Sequence, residues 1–277
     1  MKLIKRFLTV FFAVVIIASA VMPAGAAGFS GTSDWAQGEV AEASSLGLIP
    51  DRLDGAEATR AITRAEFCAL AVRLFKVMHE VAGQTDQNHY KMYFNPEYAS
   101  ALYDPFEDTD DEDVLIAYAI GIVLGTSDTT FEPNALVTRE QICRMFYNIL
   151  TVENISWRYT EQFTEAALCA YQDGYRVSDW ARTSAAALLC SGVVKGVGND
   201  TIDYAGNATV EQAVLLAVRF YNASLSNGFT NIADTETDKN GYIYPASYAY
   251  GSRYETLEEK YFRIYGVEGK TLYSSVS

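Results

Sequence analysis

Apolar residues recur at helical spacing three times along this chain, each time behind the same polar signal. Phe67, Leu70, Ala71, Leu74 and Phe75 form the first set, Ile142, Met145, Phe146, Ile149 and Leu150 the second, and Ala213, Leu216, Ala217, Phe220 and Tyr221 the third. Residues three and four apart share one side of an α-helix, so each set predicts an amphipathic helix with a buried stripe. Ahead of them stand Thr63-Arg64-Ala65-Glu66, Thr138-Arg139-Glu140-Gln141 and Thr209-Val210-Glu211-Gln212. Threonine followed three residues later by Glu or Gln is a capping box, in which each side chain satisfies the other residue's backbone amide. The preceding Ile62, Val137 and Ala208 are placed to staple onto Phe67, Ile142 and Ala213.

Gly47, Gly121 and Gly192 lie sixteen or seventeen positions before the three threonines and are expected to close an earlier helix in each copy. Those earlier helices are expected to start near Ser33-Asp34-Trp35-Ala36 and Ser178-Asp179-Trp180-Ala181, with Ser or Asp capping and the tryptophan entering the core. The middle copy has Asp110-Asp111-Glu112-Asp113-Val114 instead and lacks the tryptophan. Turn-forming loops join the two helices, Gly125 to Asn134 in the second copy and Gly196 to Ile202 in the third. A helix pair of this size cannot bury its apolar face alone, so the copies should pack on one another. The resulting layout is repeat 1 over 27–83, an insertion over 84–105, repeat 2 over 106–151, a linker over 152–170 and repeat 3 over 171–224. An aromatic-rich segment over 225–277 follows, with one amphipathic helix from Arg253 to Gly266.

Residues 1–26 have another character. Lys2, Lys5 and Arg6 precede an apolar run from Phe7 to Ala20 and small residues around Ala24-Gly25-Ala26, the pattern of a cleaved secretory signal. The run falls short of a membrane span, and no later segment is apolar enough for one. The chain carries a formal charge of −14, more negative once the leader's three cations are removed. Such a surface repels nucleic acid and anionic membranes. Cys68, Cys143, Cys169 and Cys190 form no C-x-x-C, and with His79 and His89 they build no zinc pattern. Export permits disulfides, and buried thiols are the competing expectation. The acidic run Glu107 to Asp113 and the stretch Glu236 to Ile243 offer the oxygen ligands of a calcium loop. The second lacks a twelfth-position Glu, having Ser247 there, and a solvated acidic face or turn accounts better for both. No metal or cofactor is expected.

The pattern W-A, then G-[IV]-[IV]-x-G, then F-x-P-x-x-x-[IV]-T-R-[AE]-[EQ] resembles the S-layer homology repeat of bacterial surface proteins. Its best copies are Ile62 to Glu66 and Gly121 to Gln141, and the resemblance covers roughly residues 29 to 222. It implies a mainly α fold, three helix-loop-helix repeats forming a pseudo-threefold helical bundle on the surface of a bacterium. Such proteins attach non-covalently to anionic, often pyruvylated, secondary wall polysaccharide through grooves between repeats. Carried over, the resemblance points to Arg64 and Arg139 as ligand-facing cations and Trp35 and Trp180 as groove or core aromatics. Val210 stands where the third arginine belongs.

The arginines are unusual on physical grounds too. At the first helical position a cation opposes the helix dipole, costing roughly 0.3 to 1 kcal/mol, so an anionic partner is expected. Free amides at a helix start would add to that attraction. The competing expectation is an ion pair with a carboxylate of the next repeat. A structural protein whose drifted repeats bind another surface protein is the alternative function. A wall-modifying enzyme ranks third, because neither G-x-S-x-G nor H-E-x-x-H occurs.

Overall fold

A computed structural model describes residues 28–84, 94, 104–153, 161–225, 235–237 and 243–245. The expected leader over 1–26, nearly all of the 84–105 insertion, and the helix expected over 253–266 lie outside these residues. The described chain is mainly helical: α1 Gln37–Ser45, α2 Arg64–Val81, α3 Glu112–Ile120, α4 Arg139–Val152, α5 Glu161–Cys169, α6 Arg182–Cys190 and α7 Val210–Leu225. Among the described residues no helix is long and apolar enough to cross a membrane.

The three long helices start where their caps predict. Thr63 Oγ1 accepts from Glu66 N and Thr138 Oγ1 from Gln141 N, and each threonine N donates in return to the Glu66 or Gln141 side-chain oxygen. Thr209 and Gln212 exchange the same pair of bonds at 3.2 and 3.3 Å. All fifteen residues of the expected apolar stripes are buried. Phe146 sits between Phe67 and Phe220, its ring centroid 5.2 Å from each. Gly47, Gly121 and Gly192 close the earlier helices at φ of +67°, +92° and +74°, a backbone conformation that costs other residues.

The residues just before the caps do more than staple. Ile62 N donates to Ala208 O, Ala208 N to Val137 O, and Val137 N to Ile62 O, at 3.0, 3.0 and 3.2 Å. Three strands too short to form a sheet thus close a ring of hydrogen bonds in which each supplies one donor and one acceptor. All three residues are fully buried, and burial of these amides is tolerable because each is paired. The ring sets the order of packing: α3 lies on α2, α6 on α4, and α1 on α7. Each early helix therefore packs on the long helix of a different segment.

Two expectations about the early helices fail for one reason. Ser33 and Ser178 do not cap them; α1 begins only at Gln37 behind Ala36, and Asp179–Ala181 forms a 3₁₀ turn before α6. Instead Ser33 N and Oγ donate to Glu211, and Ser178 N and Oγ to Glu140, tying each early helix to a long helix. The core position is taken by the next residue, Ala36 or Ala181, each fully buried. Trp35 and Trp180 are turned outward, 60% and 50% exposed. In the middle segment Asp111 does cap α3, and Val114 takes the core position.

The 152–170 linker contains α5, which packs along α6 through buried Ala167 and Leu168. Arg182 fastens the pair, its Nη2 2.5 Å from both Glu165 oxygens. Beyond α7, Thr235–Thr237 pairs antiparallel with Ile243–Pro245. Among the described residues no cluster of His, Cys, Asp and Glu is placed to hold a metal ion. All four cysteines are thiols, not disulfides. Burial pushes Cys143 up to about 12 and Cys169 to about 11, and raises Cys68 and Cys190 likewise, so none is a nucleophilic thiolate at neutral pH.

Candidate functional site, a cationic groove edged by tryptophan

Arg64 and Arg139 open α2 and α4, and both are nearly buried, at 6% and 5% exposure. Arg139 Nε donates to Ile202 O at 2.8 Å and Nη2 to Lys195 O at 2.9 Å. Arg64 repeats the arrangement with Phe131 O at 2.9 Å and Leu124 O at 3.1 Å, its guanidinium 4.5 Å from the Phe131 ring centroid. Each arginine thus spans the loop of the following segment. The expected competing arrangement, an ion pair with a neighbouring carboxylate, is not formed by either residue among the described residues. Carbonyl dipoles take its place.

The backbone amides beside these arginines are also engaged. Arg64 N and Ala65 N donate to Ala135 O and Pro133 O, while Arg139 N and Glu140 N donate to Gly206 O and Tyr204 O. The helix starts therefore have no such free amide to offer an anion. This corrects the expectation drawn from the dipole, because in a closed ring the neighbouring loop reaches the amides first. What remains for an anion is the guanidinium. Burial lowers the pKa of both arginines, yet guanidinium stays protonated at any physiological pH. Two of the five N–H donors of each side chain go to carbonyls.

The loops that receive the arginines are shaped by two aspartates that sequence reasoning missed as structural residues. Asp108 accepts from Phe131 N and Glu132 N at 2.8 and 2.7 Å, and Asp173 from Ile202 N and Asp203 N, both at 2.8 Å. Glu132 and Asp203 adopt φ of +61° and +57°, an uncommon conformation that the paired bonds hold in place. Asp108, within the acidic run over 107–113, thus has a structural part in the loop. Gly196 completes the third-segment loop, since a Cβ there would lie 2.8 Å from Thr201 O.

Beside Arg139 opens a groove of about 440 Å³. Exposed Trp35 stands on one side, Lys195 and Val197 on another, and Gln212, Leu215 and Arg219 of α7 form the wall. Arg219 also holds Glu39 through two 2.6 Å contacts, and that hydrogen bonding lowers the Glu39 pKa. The structure thus joins Trp35 to Arg139, two residues from different segments, where sequence order alone would have joined Trp35 to Arg64. At Arg64 the corresponding loop position is held by exposed Leu124, and exposed Trp180, on the early helix that Glu140 holds, takes by its place in the ring the part of Trp35.

Another groove, of about 480 Å³, lies between α2 and α3. Asp113 lines it at the place that corresponds to the tryptophan, and Val210, fully buried, takes the arginine's place in the ring, its N donating to Arg60 O at 2.9 Å. The loop needs no guanidinium, because a 3₁₀ turn over Asp51–Leu53 satisfies its Pro50 and Leu53 carbonyls internally. Arg52 pairs with Asp111, and Arg73 Nε donates to Gly47 O at 2.5 Å.

Fold and groove together define a mainly helical module whose exposed indole and cations converge between segments. Comparison with known proteins is more specific. Residues 108–143 match the model of the S-layer homology domain. Over 189 residues the chain is 27% identical to an amylopullulanase of Thermoanaerobacterium thermosulfurigenes, covering 66% of this chain and 9% of that protein. The chain thus spans under a tenth of the length of that relative. Both findings support the S-layer homology family, whose domain marks association with cell-wall polymers at the bacterial surface.

Proposed function

We propose that this chain is an exported, wall-associated binding module built from three diverged S-layer homology repeats about a pseudo-threefold axis. Its ligand is an acidic secondary wall polysaccharide, held non-covalently in the grooves between repeats, and it catalyses no reaction. One observation carries this proposal. Arg139 is a buried guanidinium with no carboxylate partner, facing a groove beside an indole that is 60% exposed. Holding a guanidinium out of water is costly, and an anion drawn from solvent adds to the compensation that two carbonyls and the charges of Asp203 and Asp173 already give. The chain as a whole carries −14, so a polyanion is repelled elsewhere and drawn to such a groove. The flat face of Trp35 suits the apolar face of a sugar ring, and its exposure leaves that face open.

In this assignment Arg139 and Lys195 neutralise the acidic substituent, Trp35 stacks on the ring, and Arg64 with Trp180 forms the corresponding pair. The test uses wall sacculi sedimented with the purified protein, before and after the acidic secondary polymer is stripped. Binding is expected to vanish on stripping and to weaken as salt is raised. Binding that persists on stripped sacculi would instead indicate peptidoglycan or a surface protein as partner and would overturn the proposal.

A further inference from the structure

The two departures from the repeat pattern, Val210 for arginine and Asp113 for tryptophan, lie far apart in sequence yet belong to one groove. The hydrogen-bonded ring forces this. Each groove takes its arginine from one segment, its loop and long helix from the next, and its early helix from the third. Arg139 therefore works with Trp35, Arg64 with Trp180, and Val210 with Asp113. From this placement, and resting on the anion-binding function proposed above, we infer that the chain is bivalent: two grooves bind acidic polysaccharide and the third is closed to it by its own carboxylates.

The third groove supplies the reason. Asp111 occupies the position of Ser33 and Ser178, and its carboxylate is spent on Arg52. Asp113 and Glu112 line the groove where the other two present an indole, so an incoming anion meets like charge. Arg73 is engaged by Gly47 O, and Lys76 lies 5.7 Å from the Phe94 ring centroid. Its cations are thus already matched by groups of the protein itself.

The two binding grooves are also unequal. Lys195 lies in the loop beside Arg139, whereas Leu124, 70% exposed, holds the same loop position beside Arg64. The Arg139 groove therefore carries one more exposed cation and binds an acidic sugar more tightly and with steeper salt dependence.

Calorimetric titration of the full mature chain with short acidic oligosaccharides, released from sacculi by mild acid and purified by anion exchange, tests this. Two sites per chain of unequal affinity are expected. Lys195→Leu should weaken the tighter site about threefold and bring the two together. Arg73→Ala and Lys76→Ala should leave both sites unchanged, with thermal unfolding confirming that each variant is folded. One site or three sites per chain, or loss of binding in the Arg73→Ala or Lys76→Ala protein, would overturn bivalency while leaving anion binding intact. No binding by the unaltered chain would overturn anion binding and bivalency together.

Discussion

Arg64 and Arg139 serve two purposes with one side chain. Each clamps two carbonyls of the next segment's loop, and each places a positive charge at the edge of a groove. Replacing Arg139 by Met removes the charge and leaves the carbonyls of Ile202 and Lys195 without that donor. A buried acceptor without its partner costs about 1–3 kcal/mol, so the Arg139→Met protein should lose that much in urea unfolding as well as binding less polysaccharide. The exposed Lys195 separates the two effects: Lys195→Ala should weaken binding with the urea midpoint unchanged. Equal stability of the Arg139→Met and unaltered proteins would show that the clamp contributes nothing. For the same reason Trp35 and Trp180, which are exposed, report on binding more cleanly than the arginines do.

Among the elements, α4 is the one on which most depends, because Phe146 touches Phe67 of α2 and Phe220 of α7. Phe146→Ala should cost about 3–5 kcal/mol, enough to broaden or abolish a cooperative thermal transition followed by circular dichroism. The long helices were legible in the sequence because their signals are local: a threonine, a Glu or Gln three residues on, and a stripe at fixed spacing. Elements that depend on distant partners were not. Ser33 and Ser178 look like caps from sequence, but Glu211 and Glu140 engage them across the ring, and the helices start later. That shift moves Ala36 and Ala181 into the core and turns both indoles outward, opposite to the expectation from sequence. Helix α5 escaped notice because its buried face rests largely on small residues, Thr164 and Ala167 beside Leu168, which make a weak stripe. Asp108 and Asp173 gave no signal either, since their partners lie in loops that only the fold brings near.

The chain is acidic as a whole, and its pH response follows from where the carboxylates are held. Glu39 is held below its ordinary pKa by hydrogen bonds from Arg219, and Glu66 is likewise lowered overall, bonds from Arg60 and the Thr63 cap outweighing its burial. A lowered folded pKa contributes stability that is present above the unfolded value and lost as pH falls through the folded one. Stability should therefore decline as pH falls from about 5 to about 3, and the decline should be shallower in Glu39→Gln. Urea midpoints across that range decide it, an identical slope in both proteins contradicting the assignment. The groove pairing itself was beyond the reach of the sequence, which shows which groups each segment owns but not which segments meet.

That the open grooves hold acidic wall polysaccharide through exposed indoles and adjacent cations is most directly tested by co-sedimentation with intact sacculi, comparing the unaltered protein with a Trp35→Ala, Trp180→Ala double variant of equal thermal stability. Neither ring belongs to the core, so folding is preserved while the stacking faces are lost. Binding on the order of tenfold weaker is the predicted result. Undiminished binding by the folded double variant would contradict the account.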